Sequence, residues 1–192
     1  MNLPNKLTTL RILLIPVILF LFFVPMFTQS LTFLGQTFTV NELVILALFV
    51  IASLTDLLDG QLARRRNLIT TFGKFMDPIA DKLLVNTMFF LFSVAGSIHP
   101  IYFILMLFRD TFVDGIRMLA ASKGQVIAAG NLGKLKTVLQ MFAIVLLSLK
   151  NIPFNHLGIP MDQILVIAAT TISVISGLQY IYNAKHLIFE SM

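Results

Sequence analysis

Apolar residues along this chain gather into six long stretches, at about 7–27, 41–59, 77–96, 99–121, 135–150 and 162–187, separated by short polar segments. A membrane-spanning helix needs roughly 20 mostly apolar residues. Backbone groups placed in hydrocarbon must be paired within their own segment, and runs of this length suit a helical bundle rather than a barrel. The fifth stretch is short, and the second, third and fourth carry carboxylates that a lipid-facing helix would not tolerate. The pattern predicts an all-α polytopic membrane protein, one membrane-embedded domain over 1–192, with six transmembrane helices around a polar cavity open to the cytoplasm. No repeat, low-complexity tract or soluble domain interrupts it.

Composition agrees. Of the 192 residues, 57% are hydrophobic and 12% charged, where a soluble domain averages about 25% charged. Cysteine is absent, which excludes a disulfide framework and any thiolate nucleophile or metal site. The net charge of +5 fits an anionic membrane surface or an anionic substrate, with no call for nucleic acid. Lys6 and Arg11 stand at the start of the first apolar stretch, with no convincing cleavage site after it, so the first span is expected to be retained.

Lysine and arginine placement orients the spans. Lys6, Arg11, Arg64, Arg65, Arg66, Lys74, Lys82, Arg117, Lys123, Lys134, Lys136 and Lys185 fall at or near one side; Lys150 lies at the other and Arg109 mid-span. Both termini and the loops expected at 60–76 and 120–134 are then cytoplasmic.

The stretch "TDLLDGQLARRRNLITTFGKFMDPIAD" (55–81) concentrates charge at helical spacing. Asp56 and Asp59 are three residues apart, about 60° around a helix, and Asp77 and Asp81 are four apart. Pro78 suits a first helical turn with Asp77 near its N-cap. An intervening loop would fold the two helix ends together, so that the four carboxylates converge. Such a cluster persists near a membrane only if protonated, paired with arginine or bound to cations. Oxygen donors of this kind suit hard divalent ions. A capping and salt-bridge cluster with Arg64–Arg66 is the plainer alternative. Gly60 and Gly73 permit close backbone approach or end helices, Ala63 leaves room, and Arg64 offers a planar fork for phosphate.

Two further groups bear on an anion. In the fourth stretch Asp110, Asp114 and Arg117 follow i, i+4, i+7 and form one polar stripe, with Arg109 about 100° away from it. "NLGKLKTVLQM" (131–141) opens the fifth stretch with Lys134 and Lys136, which could bind an anion beside helix N–H groups or simply anchor the inner leaflet. The 18 phenylalanines and 9 methionines are read as packing or lipid contact. His99, His156 and His186 lack metal-ligand spacing, and no Ser–His–Asp arrangement is evident.

Asp56, Asp59, Gly60, Ala63, Arg64, Gly73, Asp77 and Asp81 match D-x2-D-G-x2-A-R-x8-G-x3-D-x3-D without departure, and in this the chain resembles the CDP-alcohol phosphotransferase family. The resemblance implies a six-helix membrane bundle, usually a homodimer, that transfers a phosphatidyl or similar group from a CDP-linked donor to an alcohol. It implies that Asp56, Asp59 and Asp77 hold two divalent cations (Mg2+ or Mn2+). Asp81 would add a ligand and act as general base, and Asp59, Gly60, Ala63, Arg64 and Gly73 would contact the CDP donor. Looser similarity from Leu3 to about Met141, in "LPNKLTTLRILLIPVILF", "GIRMLAASKG" and "GKLKTVLQM", is to bacterial members that use CDP-diacylglycerol and glycerol 3-phosphate. That adds Asn5, Thr8 and Arg11 to the donor contacts and Arg109, Arg117, Lys134 and Lys136 to the acceptor phosphate. It also places the protein in the bacterial cell membrane, making phosphatidylglycerol phosphate and CMP at the cytoplasmic face. A sister enzyme taking phosphatidylglycerol as acceptor is the runner-up. An ion or proton transporter would use the same charges but calls for paired broken helices, which the sequence does not offer.

Overall fold

The structure is a computed structural model. It describes residues 3–66, 71–125 and 130–189, with the side chains of 3–4, 56–66, 71, 72, 74, 75 and 187–189 outside that description. The chain separates into two compact units, Met1–Leu91 and Phe92–Met192.

In the first unit α1 (Leu3–Phe23) packs on α2 (Val40–Arg66). Thr8, Arg11, Ile15 and Ile18 recur at i, i+3, i+7 and i+10 and are buried, as are Ile45, Phe49 and Ala52 on α2. Leu10, Leu13, Val17 and Phe20 are exposed along α1, a face suited to lipid. Asn41 Nδ2 donates to the carbonyl of Leu21 at 2.7 Å, satisfying one of the acceptors a helix end leaves open. Thr39 and Glu42 form a reciprocal cap at the start of α2: the Thr39 hydroxyl accepts the Glu42 N–H at 3.1 Å, and Glu42 Oε2 accepts the Thr39 N–H at 2.9 Å.

Between α1 and α2 the chain forms an antiparallel hairpin that hydrophobic patterning does not predict, β1 (Ser30–Phe33) with β2 (Gln36–Thr39), in register Ser30↔Thr39 and Phe33↔Gln36. Its two-residue turn holds Leu34 at φ 49° and Gly35 at φ 76°. Two successive positive φ angles are what a tight hairpin turn demands, and Gly35 meets its share without a Cβ penalty.

α3 (Thr71–Val94) buries Ala80, Leu84, Met88 and Leu91 at i, i+4, i+8 and i+11. Pro78 stands inside this helix rather than in its first turn, so Asp77 does not serve as its N-cap. The expected loop at 60–76 is likewise largely helical, since α2 continues to Arg66 and α3 begins at Thr71. The apolar pattern stops where charge begins, but Leu, Gln, Ala and Arg are good helix formers and carry the backbone onward.

In the second unit α6 (Met161–Phe189) packs on both α4 (Pro100–Ser122) and α5 (Asn131–Ser148). His99 caps α4, its Nδ1 accepting the Ile101 N–H at 3.3 Å, with Pro100 entering the first turn. Asn151, buried and at φ 63°, organises the α5–α6 turn. Its Nδ2 donates to Asn155 Oδ1 at 3.0 Å and to the Ile159 carbonyl at 2.8 Å, and its Oδ1 accepts the Asp162 N–H at 3.2 Å. Asparagine suits such a position because its amide can bond locally while the backbone is left-handed.

The expected bundle of six spans around a polar cavity is not what forms. Among the described residues six long helices are present, and the fold there is all-α apart from the hairpin and a short 3-10 turn. Among the described residues, however, only Asn5–Phe23, Asn131–Ser148 and Met161–His186 are long and apolar enough to cross a membrane, while Val40–Thr55 is apolar but shorter. α4 carries Arg109, Asp110, Asp114 and Arg117, and α3 carries Asp77, Asp81 and Lys82. Each ionised group within a span costs several kcal/mol. The fold is therefore partly membrane-embedded, with three candidate spanning helices.

Candidate active site

Each unit holds its own polar centre. In the first, α3 presents Asp77 and Asp81 four residues apart, and α1 supplies a partner to each. The Thr8 hydroxyl, buried, donates to Asp77 Oδ1. Arg11 is 1% exposed, and its Nη1 reaches Asp81 Oδ1 at 2.8 Å while its Nε donates to the Ala52 carbonyl of α2 at 3.3 Å. The Asp81 side chain is 41% exposed, so this ion pair runs from the interior to an open carboxylate. Gly73 is buried two turns of chain before Asp81, and Asn5 is half-buried one turn before Thr8. Four of the sequence-predicted residues, Thr8, Arg11, Asp77 and Asp81, are thus brought together by direct contacts. Asp56, Asp59, Gly60, Ala63 and Arg64 lie on the C-terminal part of α2, outside the described side chains. Among the described residues no group of three or more metal-ligating side chains comes together.

The second unit gathers the remaining predicted cations in another way. Asp110 is buried on α4, and Lys136 Nζ of α5, also buried, donates to both of its carboxylate oxygens, at 2.6 Å to Oδ2. Arg109 Nη1 donates to the same Oδ1 at 3.0 Å, and its Nη2 donates to the Ser176 hydroxyl of α6. Backbone geometry alone sets Arg109 apart from the Asp110 stripe, but its long flexible stem brings the guanidinium back to Asp110. A Cβ built at Gly177 would stand 2.7 Å from Arg109 Cγ, so the absence of a side chain there is what lets the arginine pass. Arg109 Nε and Ser173 Oγ are buried with no partner among the described residues.

Lys134 and Lys136 lie on different faces of α5: Lys134 is exposed and Lys136 buried, as two positions about 200° apart on a helix require. Arg117 lies against Tyr180, with its Nε 3.2 Å from the phenol oxygen and its guanidinium carbon 5.5 Å from the ring centre. Val113, Ile116 and Ala184 complete the buried surroundings of Tyr180. Patterning of charge alone misses Ser173, Ser176, Gly177 and Tyr180. Their signal is a stripe of small and polar residues at i, i+3, i+4 and i+7 within an apolar helix.

Residues 1–176 match the CDP-alcohol phosphatidyltransferase family. The chain belongs to that family. Curated relatives include the CDP-diacylglycerol–glycerol-3-phosphate 3-phosphatidyltransferase of Bacillus subtilis (strain 168), 39% identical over 93% of either chain. The enzyme of the same name from Rickettsia typhi is 41% identical over 96% of this chain and 97% of its own. A probable phosphatidylglycerophosphate synthase of Mycobacterium tuberculosis is 34% identical over 95% of this chain and 81% of its own.

As a CDP-alcohol phosphatidyltransferase the protein is an enzyme of membrane lipid synthesis, and the family implies a divalent cation. The described donors fit one. Asp77 and Asp81 offer oxygen ligands on one face of α3, the chemistry that magnesium and manganese take. Thr8 and Arg11 each occupy one carboxylate oxygen of that pair.

The Asp110 cluster gives a measurable ordering. Asp110→Leu leaves Lys136 and Arg109 buried without their anion and is expected to cost about 3–5 kcal/mol, as loss of one partner from a buried pair does. Lys136→Met should cost less, because Arg109 still answers Asp110. Equilibrium unfolding in mixed detergent micelles reads both, and equal losses would contradict the assignment of Asp110 as the shared anion.

Proposed function

We propose that this protein transfers the phosphatidyl group of CDP-diacylglycerol to glycerol 3-phosphate, giving phosphatidylglycerol phosphate and CMP. The observation that carries the reading is similarity over nearly the whole chain to enzymes bearing that name. The Asp77–Asp81 face, with Thr8 and Arg11 against it, supports it.

The acceptor hydroxyl oxygen attacks the phosphorus of the phosphatidyl group, the bond from that phosphorus to the bridging oxygen breaks, and the electron pair leaves with CMP. Asp81, half open to its surroundings, takes the hydroxyl proton. Two Mg2+ or Mn2+ ions held by Asp56, Asp59, Asp77 and Asp81 supply charge neutralisation at the diphosphate when bound. Asn5, Thr8, Gly60, Ala63, Arg64 and Gly73 line the donor, where small residues admit the nucleotide and the Arg64 fork can meet phosphate. For the acceptor phosphate the candidates are Arg109, Arg117, Lys134 and Lys136. Lys134 leads them because it is exposed, whereas Lys136 and Arg109 already share Asp110. The protein acts as a single domain and a homodimer in the bacterial cell membrane, with its chemistry at the cytoplasmic face.

The test is CMP release by purified full-length protein in detergent or lipid, given CDP-diacylglycerol with magnesium and one acceptor at a time. Release is expected with glycerol 3-phosphate and not with phosphatidylglycerol, serine or inositol phosphate; release with phosphatidylglycerol alone would move the protein to the sister reaction. Asp81→Asn should lower turnover by about 10²–10⁴ while CDP binding, followed by calorimetry, survives. Lys134→Ala should raise the KM for glycerol 3-phosphate about ten-fold and leave that for the donor unchanged, the pattern of a lost binding contact.

A further inference from the structure

Arg11 is among the most deeply buried of the described side chains, at 1% exposure, yet it carries a guanidinium. A guanidinium so placed must be answered by an anion and by acceptors, because an uncompensated buried charge costs several kcal/mol. The fold answers it from two other helices: the Ala52 carbonyl of α2 at 3.3 Å and Asp81 Oδ1 of α3 at 2.8 Å. The described contacts of Arg11 run to the protein's own backbone and to one carboxylate. Asp81 differs from Arg11 in being 41% exposed. A buried cation therefore grips one oxygen of a carboxylate whose side chain is partly exposed.

We propose that Arg11 is a resident counter-cation for Asp81, a positioning residue that stands in for divalent metal in the cation-free protein and competes with it. The inference rests on the reading of Asp81 as a cation ligand given above. A divalent ion approaching Asp81 meets a carboxylate already neutralised by Arg11 and feels repulsion from the guanidinium itself. Arg11 cannot withdraw to water, since its side chain is enclosed. Two consequences follow. The carboxylate face stays assembled without metal, and metal is held more weakly than the acidic set alone would hold it. Thr8 makes the matching contact to Asp77, but as a neutral donor it orients without competing.

The probe is Mn2+ added to the stripped, full-length protein in detergent, its binding read by electron paramagnetic resonance and the protein's stability by thermal unfolding. Arg11→Gln keeps an N–H donor and removes the charge. It is expected to raise Mn2+ affinity ten-fold or more, lower the melting temperature of the cation-free protein, and enlarge the stabilisation that Mn2+ brings. Arg11→Lys restores the charge and should bring Mn2+ affinity back to within about three-fold of the parent. A merely structural role for Arg11 would lower stability without tightening Mn2+. An unchanged or weakened affinity in Arg11→Gln, or a lysine variant that behaves like the glutamine one, overturns the proposal. If Arg11→Gln does not fold, nitrogen-15 spectra of the parent's arginine guanidinium groups decide. Mn2+-free protein titrated with Mg2+ should shift one buried, slowly exchanging guanidinium, and no shift overturns the proposal. Absence of any Mn2+ binding by the parent would instead bring down the cation reading itself, and this inference with it; binding by the parent with no gain in the variant removes only the role of Arg11.

Discussion

Charge enclosed away from water obliges a chain to bring its opposite to the same place, and both units of this protein are organised by that demand. Arg11 draws α1, α2 and α3 together through Asp81 and the Ala52 carbonyl. Asp110 does the same for α4, α5 and α6 through Lys136, Arg109 and, by way of Arg109, Ser176. Apolar packing tolerates a slide of one helix along another, since one leucine meets a neighbour much like the next. An ion pair does not, because a slip of one turn moves the charge about 5.4 Å and leaves it unanswered. Register between helices is thus set by a few polar contacts within a largely hydrocarbon interior.

The helices divide their labour accordingly. α1, α5 and α6 contain the stretches apolar enough for a bilayer, while α3 and α4 bring carboxylates and cations that a lipid-facing helix could not hold. α1 belongs to both classes. Its outer face is Leu10, Leu13, Val17 and Phe20, and its inner face carries Thr8 and Arg11 to the aspartates. An enzyme that transfers a charged phosphatidyl group from a lipid donor needs such a surface, greasy on one side and ionic on the other. Membership of the CDP-alcohol phosphatidyltransferase family fits that economy.

A glycine makes the Arg109 contact possible. At Gly177 a methyl group would fall 2.7 Å from the Arg109 stem, whereas at Gly133 it would sit at an ordinary contact distance of 3.6 Å from Arg109 Nη2. Without the space at Gly177 the arginine stem could not take the path by which it reaches Ser176. Glycine in a helix costs stability in the backbone; here the cost is offset by room for an ion pair that has no other route.

Much is legible in the sequence itself. The length of the apolar runs predicts the six long helices, and an eight-position acidic signature carries the family resemblance, because helical spacing and donor chemistry are local properties of a chain. The hairpin at Ser30–Thr39 and the continuation of α2 and α3 through charged residues were not legible from apolarity. Turn geometry and helix propensity act there, and neither follows hydrophobicity. Nor does a run of carboxylates reveal how many helices suit a membrane, which is why six expected spans become three candidates among the described residues. Partnership lay furthest beyond reach: that Arg11 belongs to Asp81, that Lys136 belongs to Asp110 while Lys134 faces outward, and that Arg109 bends back to its neighbour. Sequence determines which charges exist and on which helical face they start. Which anion each cation meets depends on how separate helices pack and on how far a flexible side chain can reach, and only the tertiary structure decides that.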